Sequence, residues 1–416
     1  MKIDSFLKSI DPIISNILDK TIDGKTVSEL DAIELFNSKG IELNLIVAVA
    51  NYLCKRKKGN LVTYVINRNI NFTNVCIKRC GFCAFSRDFR EEEGYFLPIS
   101  EIIRRAKEAE KLGATEICIQ AGLPPKMDGN LYLDICKSIK KELPNIHIHA
   151  FSPEEILYGA KRSNCSIELY LQMLKEAGLD SIPGTAAEIL DQKIRDIISP
   201  GRISVKDWIK IIKYAHSIGI KSTSTIMYGH LETYSDIVKH LTTIRNIQKE
   251  TNGFTEFVPL SFVHSEAPMY NKDLVKNLRN GPTGSDVIKM HAISRIFLYN
   301  QIDNIQVSWV KEGQRMAQIL LEAGVNDLGG TLINESISTS AGASFGQLLK
   351  PREIRKLAHE IGKTPAQRSS SYKILKLFSK DNYMQEELLD QTDPQNFGSY
   401  HELIKLDSFR YKKTNN

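Results

Sequence analysis

A chain of 416 residues can hold one large domain with extensions, or two ordinary domains. With 42% hydrophobic and 25% charged residues it has the composition of a packed globular protein, which excludes a disordered or fibrous chain. Its 55 basic and 49 acidic residues leave a net charge of only +6, and the longest basic run, Lys55-Arg56-Lys57-Lys58, reads as a solvated loop, so no nucleic acid is expected as a partner.

No stretch comes near the roughly 18 uninterrupted apolar residues that a membrane span needs. The start, Met1-Lys2-Ile3-Asp4, carries an early acid and no apolar signal stretch, so a cytoplasmic location is expected. Of seven cysteines, three fall between positions 76 and 83. An odd, clustered set in a reducing compartment reads as a metal site and not as a disulfide framework.

In chain order, residues 1–60 read as a helical extension, with an apolar-periodic stretch over Ser28 to Phe36. Eight β-branched or apolar runs follow, near 62–73, 115–122, 146–152, 180–186, 220–229, 254–263, 305–310 and 325–330. Helical patterns separate them, among them Ile102 to Leu112, Leu131 to Leu143, Lys206 to Ile218 and Ser235 to Lys249. Several end on a glycine stop, as at Gly113, Gly178, Gly219 and Gly324. Regular strand–helix alternation implies parallel pairing through right-handed crossovers. Eight units over 61–345 fit an α/β fold of the (β/α)8 TIM-type barrel, with a doubly wound open sheet as the alternative. Residues 346–416 read as a charged helical C-terminal cap.

The first strand leads into Cys76-Ile77-Lys78-Arg79-Cys80-Gly81-Phe82-Cys83, a C-x3-C-x2-C spacing placed at the C-terminal mouth of a barrel, where catalytic groups of this fold gather. A 4Fe–4S cluster takes one thiolate per iron, so three cysteines leave the fourth iron open to a ligand. Gly81 allows the close backbone approach that so tight a loop requires. A Cys3His zinc site is the competing reading, with Cys118 and His147 as distant fourth ligands. Cys54, Cys118, Cys136 and Cys165 read as small core hydrophobes. Polar residues at later strand ends point into the mouth, so His149, Ser152, Glu188, Tyr228, His230, Glu256 and Asp327 are candidates to bind cofactor or substrate.

The C-x3-C-x2-C spacing with Phe82 before the last cysteine resembles the signature of the radical S-adenosylmethionine (SAM) superfamily. That resemblance implies a 4Fe–4S cluster on Cys76, Cys80 and Cys83 whose open iron chelates SAM. It also implies SAM contacts at Phe82, Gln120, Gly122, Ser152 and Glu188. Ala121 departs from the glycine pair expected at Gln120-Ala121-Gly122, and Pro124 stands where a histidine is expected.

Further stretches resemble the family of the second subunit of deazaflavin (FO) synthase. They are Asn71-Phe72-Thr73-Asn74, His147-Ile148-His149-Ala150-Phe151-Ser152-Pro153, Pro183 to Leu190, Met227-Tyr228-Gly229-His230, Phe254 to Leu260 and Asn326 to Thr331. The resemblance implies transfer of the 4-hydroxybenzyl group of L-tyrosine to 5-amino-6-(D-ribitylamino)uracil. It puts substrate contacts at His149, Tyr228, His230, Glu256, Asn326 and Asp327 and identifies no hydrogen-relay residue. It further implies the first FO synthase subunit as pathway partner and an electron donor such as ferredoxin or flavodoxin. Two menaquinone-pathway enzymes, aminofutalosine synthase and dehypoxanthine futalosine cyclase, share much of the plan and are the alternative. A non-enzymatic iron–sulfur electron carrier is the alternative of another class; it would need a fourth cluster ligand.

Overall fold

The computed structural model describes residues 10–412, so the Met1 to Asp4 start and the outer ends of the two flanking segments lie outside the described residues. Three helices come first, α1 (Pro12–Ile22), α2 (Glu29–Asn37) and α3 (Ile41–Lys58). A capping box starts α2: Asp31 N donates to Ser28 Oγ, and Ser28 N donates to the Asp31 carboxylate.

The chain then enters β1 (Leu61–Val65) and, one residue later, β2 (Asn67–Ile70). Strands β3 (Glu116–Ile119), β4 (His147–Ala150), β5 (Ser181–Ile182), β6 (Lys221–Tyr228) and β7 (Phe254–Ser261) follow, all parallel, in the spatial order β2-β3-β4-β5-β6-β7. Helices α4 (Ile99–Lys111), α5 (Leu131–Glu142), α6 (Pro153–Arg162), α7 (Ile167–Glu176), α8 (Gln192–Ile198), α9 (Val205–Ser217) and α10 (Tyr234–Thr251) connect them. In α4 the buried residues are Ile102, Ala106 and Ala109, a single stripe at helical spacing that packs on the sheet. After β7 come α11 (Gly284–Leu298), α12 (Trp309–Leu321), β8 (Asp327–Gly330), α13 (Pro351–Glu360), β9 (Thr364–Arg368) and β10 (Ile374–Leu377).

The barrel closes through backbone hydrogen bonds more than through regular strands. β1 pairs with β8, and Arg68 bridges to Ile333. Between β7 and β8 the expected strand at 305–310 shrinks to two bridges, Phe257 to Ile305 and Gln306 to Asp327. Gln306 N donates to Phe257 O and Val307 N to Asp327 O, each at 3.0 Å, so this short stave still joins both neighbours. The reason it is short is that α12 begins at Trp309, and Trp309 and Val310 bury their side chains as helix residues. The run expected at 180–186 is likewise cut to Ser181–Ile182, because Pro183 cannot donate to a ladder.

The C-terminal segment departs from its helical expectation. Beside α13 it supplies β9, which pairs in parallel with β1, and β10, which returns antiparallel to β9. Its strand Thr364-Pro365-Ala366-Gln367-Arg368 is polar and proline-bearing, and lacks a strand's apolar alternation. The N-terminal helices pack outside the barrel: Lys289 Nζ donates to Phe36 O and Arg245 to Val27 O, both at 2.7 Å, and the Phe36 ring stacks on Tyr234. Among the described residues no helix is long and apolar enough to cross a membrane.

The joint between β1, β2 and β8 leaves no room at Gly330, where a Cβ would stand 2.0 Å from Asn67 Oδ1. That oxygen accepts from Leu332 N at 2.9 Å, and the Asn67 amide donates to Glu116 at 2.9 Å. Gly330→Ala is therefore expected to destabilise the protein by roughly 1–3 kcal/mol, read as a lowered melting temperature, by displacing Asn67 from both partners.

Candidate active site

The three cysteines sit on a loop held from several sides. Cys76 N donates to Arg87 O at 3.0 Å, Ile77 N to Leu123 O at 2.9 Å and Gly81 N to Ile198 O at 2.8 Å, while Met269 N donates to Gly81 O at 2.7 Å. A Cβ on Gly81 would meet the Met269 Cβ at 2.9 Å, and one on Gly122 would meet Val75 O at 2.3 Å. Both glycines are thus set by close backbone approach.

Cys76, Cys80 and Cys83 are free and line one cavity of about 200 Å³, together with Phe82, Gln120, Ala121, Gly122, Ser152, Glu154, Glu155, Glu188 and Arg202. Among the described residues no three His, Cys, Asp or Glu come close enough together to hold one metal ion. The single-ion zinc reading thus gains no support, whereas in a cubane each thiolate takes a different iron and the sulfurs stand apart. The donor set fits that group: three thiols on one loop, facing one cavity. Burial pushes the Cys80 thiol up to about 12, against the pull of Arg202, and raises that of Cys76. Such thiols become anionic ligands when a bound cation compensates their charge.

Arg202, which the sequence reading missed, organises this cavity. Its guanidinium lies 3.3 Å from Cys80 Sγ and 3.2 Å from Glu188 Oε1, and 5.6 Å over the Phe82 ring. Arg195 holds the other Glu188 oxygen at 3.3 Å and donates to Ala186 O and Ala187 O. The loop between them is strained, with φ of 63° at Ala186 and 39° at Glu188, a condition that surrounding contacts must enforce. Ser152 caps α6, and Glu155, also missed, accepts from Ser152 N at 2.7 Å and from Ala121 N at 3.0 Å. Burial pushes the Glu155 carboxyl up to about 7. Pro124 O accepts the Tyr158 hydroxyl at 2.7 Å, so the backbone at this position serves the wall.

A second cavity, of about 320 Å³, runs on from the first into the barrel and shares Phe82, Cys83, Phe85, Gln120, Thr185, Glu188 and Ile337 with it. His149 and Glu256 line it, as expected of substrate contacts. His149 Nδ1 shares the Ser181 hydroxyl with His147 at 2.7 Å each, and burial lowers its pKa to about 4, so the ring is neutral. Cys118 also lines this cavity and is not a core filler.

Four expected substrate contacts lie elsewhere. Tyr228 is buried and its hydroxyl accepts from Ser261 at 3.1 Å. The His230 ring bonds Met227 O at 3.0 Å and faces Glu232 at 3.2 Å, which turns it away from the mouth. Asn326 takes the Arg295 guanidinium at 2.6 Å and Ile305 N at 3.0 Å. Asp327 reaches the site only through Arg368, which donates to its two oxygens at 2.5 and 3.0 Å. Strand-end position alone could not separate these four from the residues that do face the cavity.

The floor is the larger surprise. Arg368 and Ser370, from the β9–β10 hairpin, line the cavity beside Glu116, Glu256 and Gln306. Glu256 accepts from Tyr372 and lies 3.6 Å from Arg368; with its amide turned to donate, Gln306 reaches both Glu256 oxygens at 3.3 and 2.9 Å. Burial pushes Glu256 up to about 7; Arg368 opposes the shift and Asp327 adds to it. A hairpin some 110 residues beyond β7 offers no local signal of this contact.

Residues 70–244 match the model of the Radical SAM superfamily, and residues 251–380 that of the CofH/MqnC C-terminal region. The chain is 49% identical, over 354 residues, to the 5-amino-6-(D-ribitylamino)uracil–L-tyrosine 4-hydroxyphenyl transferase of Methanocaldococcus jannaschii, covering 84% of this chain and 98% of the relative. With the protein of the same name from Methanoculleus marisnigri it shares 44% identity over 369 residues, 89% of this chain and 100% of the relative. Among solved structures, a crystal structure of HydG, a maturase of the [FeFe]-hydrogenase, superposes with a TM-score of 0.68 at 16% identity, covering 88% of this chain and 78% of that one. Methylornithine synthase (PylB) superposes at 0.64 and 18% identity, covering 84% and 97%. At such identities these two speak to the fold alone.

Two outcomes are expected of this geometry. Anaerobic reconstitution should load about four irons and four sulfides, and Cys76→Ala, Cys80→Ala or Cys83→Ala should each abolish the EPR signal of the reduced cluster while Cys118→Ala keeps it. Arg368→Met should leave Asp327 and Glu256 without their cation, at a cost of about 3–5 kcal/mol for an unmatched buried charge; a lowered melting temperature with intact iron loading would check it.

Proposed function

We infer the reaction from one premise: the chain belongs to the radical SAM superfamily and, within it, to the family of the 5-amino-6-(D-ribitylamino)uracil–L-tyrosine 4-hydroxyphenyl transferases. The protein is a transferase that moves the 4-hydroxybenzyl group of L-tyrosine to 5-amino-6-(D-ribitylamino)uracil in deazaflavin coenzyme synthesis. The observation that carries this reading is the 49% identity over nearly the whole length of relatives bearing that name.

Cys76, Cys80 and Cys83 would hold the 4Fe–4S cluster, with SAM beside them in the smaller cavity near Phe82, Gln120, Gly122 and Glu188. When bound, the two supply a one-electron cleavage and a 5′-deoxyadenosyl radical able to take a hydrogen atom from tyrosine, chemistry that side chains lack. The chain's own part is to bind, orient and exclude water. The seven residues common to both cavities put anything in the larger one directly against the SAM side, the proximity that a short-lived radical demands. In the larger cavity, neutral His149 and the Glu256–Gln306–Arg368 floor offer donors and acceptors to a hydroxyl-rich diaminouracil.

As pathway partner we propose the first FO synthase subunit, which supplies the companion activity of FO synthesis. A ferredoxin or flavodoxin serves as electron donor, and the setting is the cytoplasm.

Adding SAM should perturb the reduced-cluster EPR spectrum. Release of 5′-deoxyadenosine should then rise sharply only with tyrosine and the ribitylaminouracil both present, and a 4-hydroxybenzyl adduct of the uracil should appear by mass spectrometry. Turnover of 3-[(1-carboxyvinyl)oxy]benzoate or dehypoxanthine futalosine, with the tyrosine pair inert, would transfer the chain to the menaquinone enzymes.

A further inference from the structure

The charged side chains that line the larger cavity are four glutamates, Arg368 and Lys311. Five of the six have partners in the protein. Glu188 is held by Arg195 and Arg202, Glu116 by Asn67, and Glu256 by Tyr372 and Arg368. Glu335 accepts from Ser338 N at 2.8 Å, and Arg368 is committed to both oxygens of Asp327. Lys311 alone, in the first turn of α12, has no hydrogen bond or ion pair for its ammonium among the described residues.

Its two acidic neighbours do not supply one. The Glu335 carboxylate is turned into the short helix Ile337–Ser340, where it takes the amides of Ser338 and Thr339. Glu312 accepts the Ser261 hydroxyl at 2.5 Å. Lys311 is half-buried, so water can solvate its ammonium while the cavity is empty, and a ligand that fills the cavity and displaces that water must offer it an anion instead.

We propose that Lys311 is the anchor for the α-carboxylate of the amino-acid substrate. The inference rests on the reaction assigned above and adds to it a specificity-determining residue. The ribitylaminouracil carries hydroxyls, amines and carbonyls but no carboxylate, and the SAM carboxylate belongs to the cluster side. Tyrosine alone brings a free carboxylate into this cavity, and Lys311 alone offers it an uncommitted cation. Burial holds Lys311 below the usual lysine pKa, with Glu335 and Glu312 pulling the other way; a bound carboxylate would add to that pull and favour the charged form.

The test uses the reconstituted holoenzyme and two ligands that differ only in the carboxylate, tyrosine and tyramine. Lys311→Met should raise the KM for tyrosine roughly 10- to 100-fold, as expected when a charged hydrogen bond is lost, with a smaller change in kcat. Equilibrium binding of tyrosine should weaken in parallel, while that of tyramine stays within about threefold. Lys311→Arg, which keeps the charge, should recover most of the tyrosine affinity. Unchanged iron content and EPR signal show that the variant is folded. Tyrosine affinity unaltered in Lys311→Met, or tyrosine and tyramine weakened alike, would overturn the anchor and leave the assigned reaction standing. Wild-type protein that neither binds nor turns over tyrosine would overturn the reaction itself, and the anchor with it.

Discussion

A sheet of parallel strands delivers all its C-terminal ends to one mouth only if it closes on itself, and here closure hangs on the shortest stave. Between β7 and β8 the ladder is reduced to Ile305 and Gln306, each bridged to one side. Backbone hydrogen bonds from Gln306 and Val307, at 3.0 Å, hold the two halves together. Shortening this stave lets α12 start at once, and its first turn brings Lys311 to the cavity wall while Trp309 Nε1 ties the helix to Gly330 O at 2.8 Å. A full-length strand would have carried these residues along the barrel and not across its mouth.

Closure at the other end is achieved differently. β9 lies against β1, and the hairpin it forms with β10 pushes Arg368, Ser370 and Tyr372 toward the barrel axis, where Glu256 and Asp327 await a cation. Two carboxylates this close repel unless one is protonated or a guanidinium lies between them. Arg368 does lie between them, and it opposes the burial that, with Asp327, pushes Glu256 up to about 7. The C-terminal segment is therefore part of the site's floor.

What could be read from sequence was whatever local spacing encodes. The C-x3-C-x2-C loop, the strand–helix alternation and the mouth position of His149 and Glu256 all follow from residues near one another in the chain. What could not be read depends on contacts across it. Arg202 lies 122 residues from Cys80, and Arg368 lies 41 residues from Asp327 on a strand with a polar, proline-bearing sequence. Tyr228 sits at a strand end yet lies on the face opposite Thr223, Thr225 and Met227, which line the cavity, and His230, just past the strand, turns to Glu232; period-two alternation along β6 separates the faces, and position at a strand end does not. The run 305–310 misled for a related reason: a short apolar stretch is compatible with either a buried strand or a helix start, and periodicity cannot separate them over six residues.

Most polar groups around the two cavities are bound to one another before any ligand arrives. Glu188 is fixed by two arginines, Glu155 by Ser152 and the Ala121 amide, and Glu256 by its floor partners. Groups held this way need little reorganisation when a reactant enters, and electrostatic preorganisation of that kind is the protein's main lever when a bound cofactor carries the chemistry. It also sets selectivity, since a ligand that displaces these contacts without replacing them leaves buried polar groups unpaired. The strained backbone at Ala186 and Glu188 belongs to the same logic. Its cost is borne by Arg195, whose bonds to Ala186 O, Ala187 O and Glu188 lock a loop that touches both cavities. Rigidity is concentrated where the two cavities meet, and that junction is where a radical would have to cross.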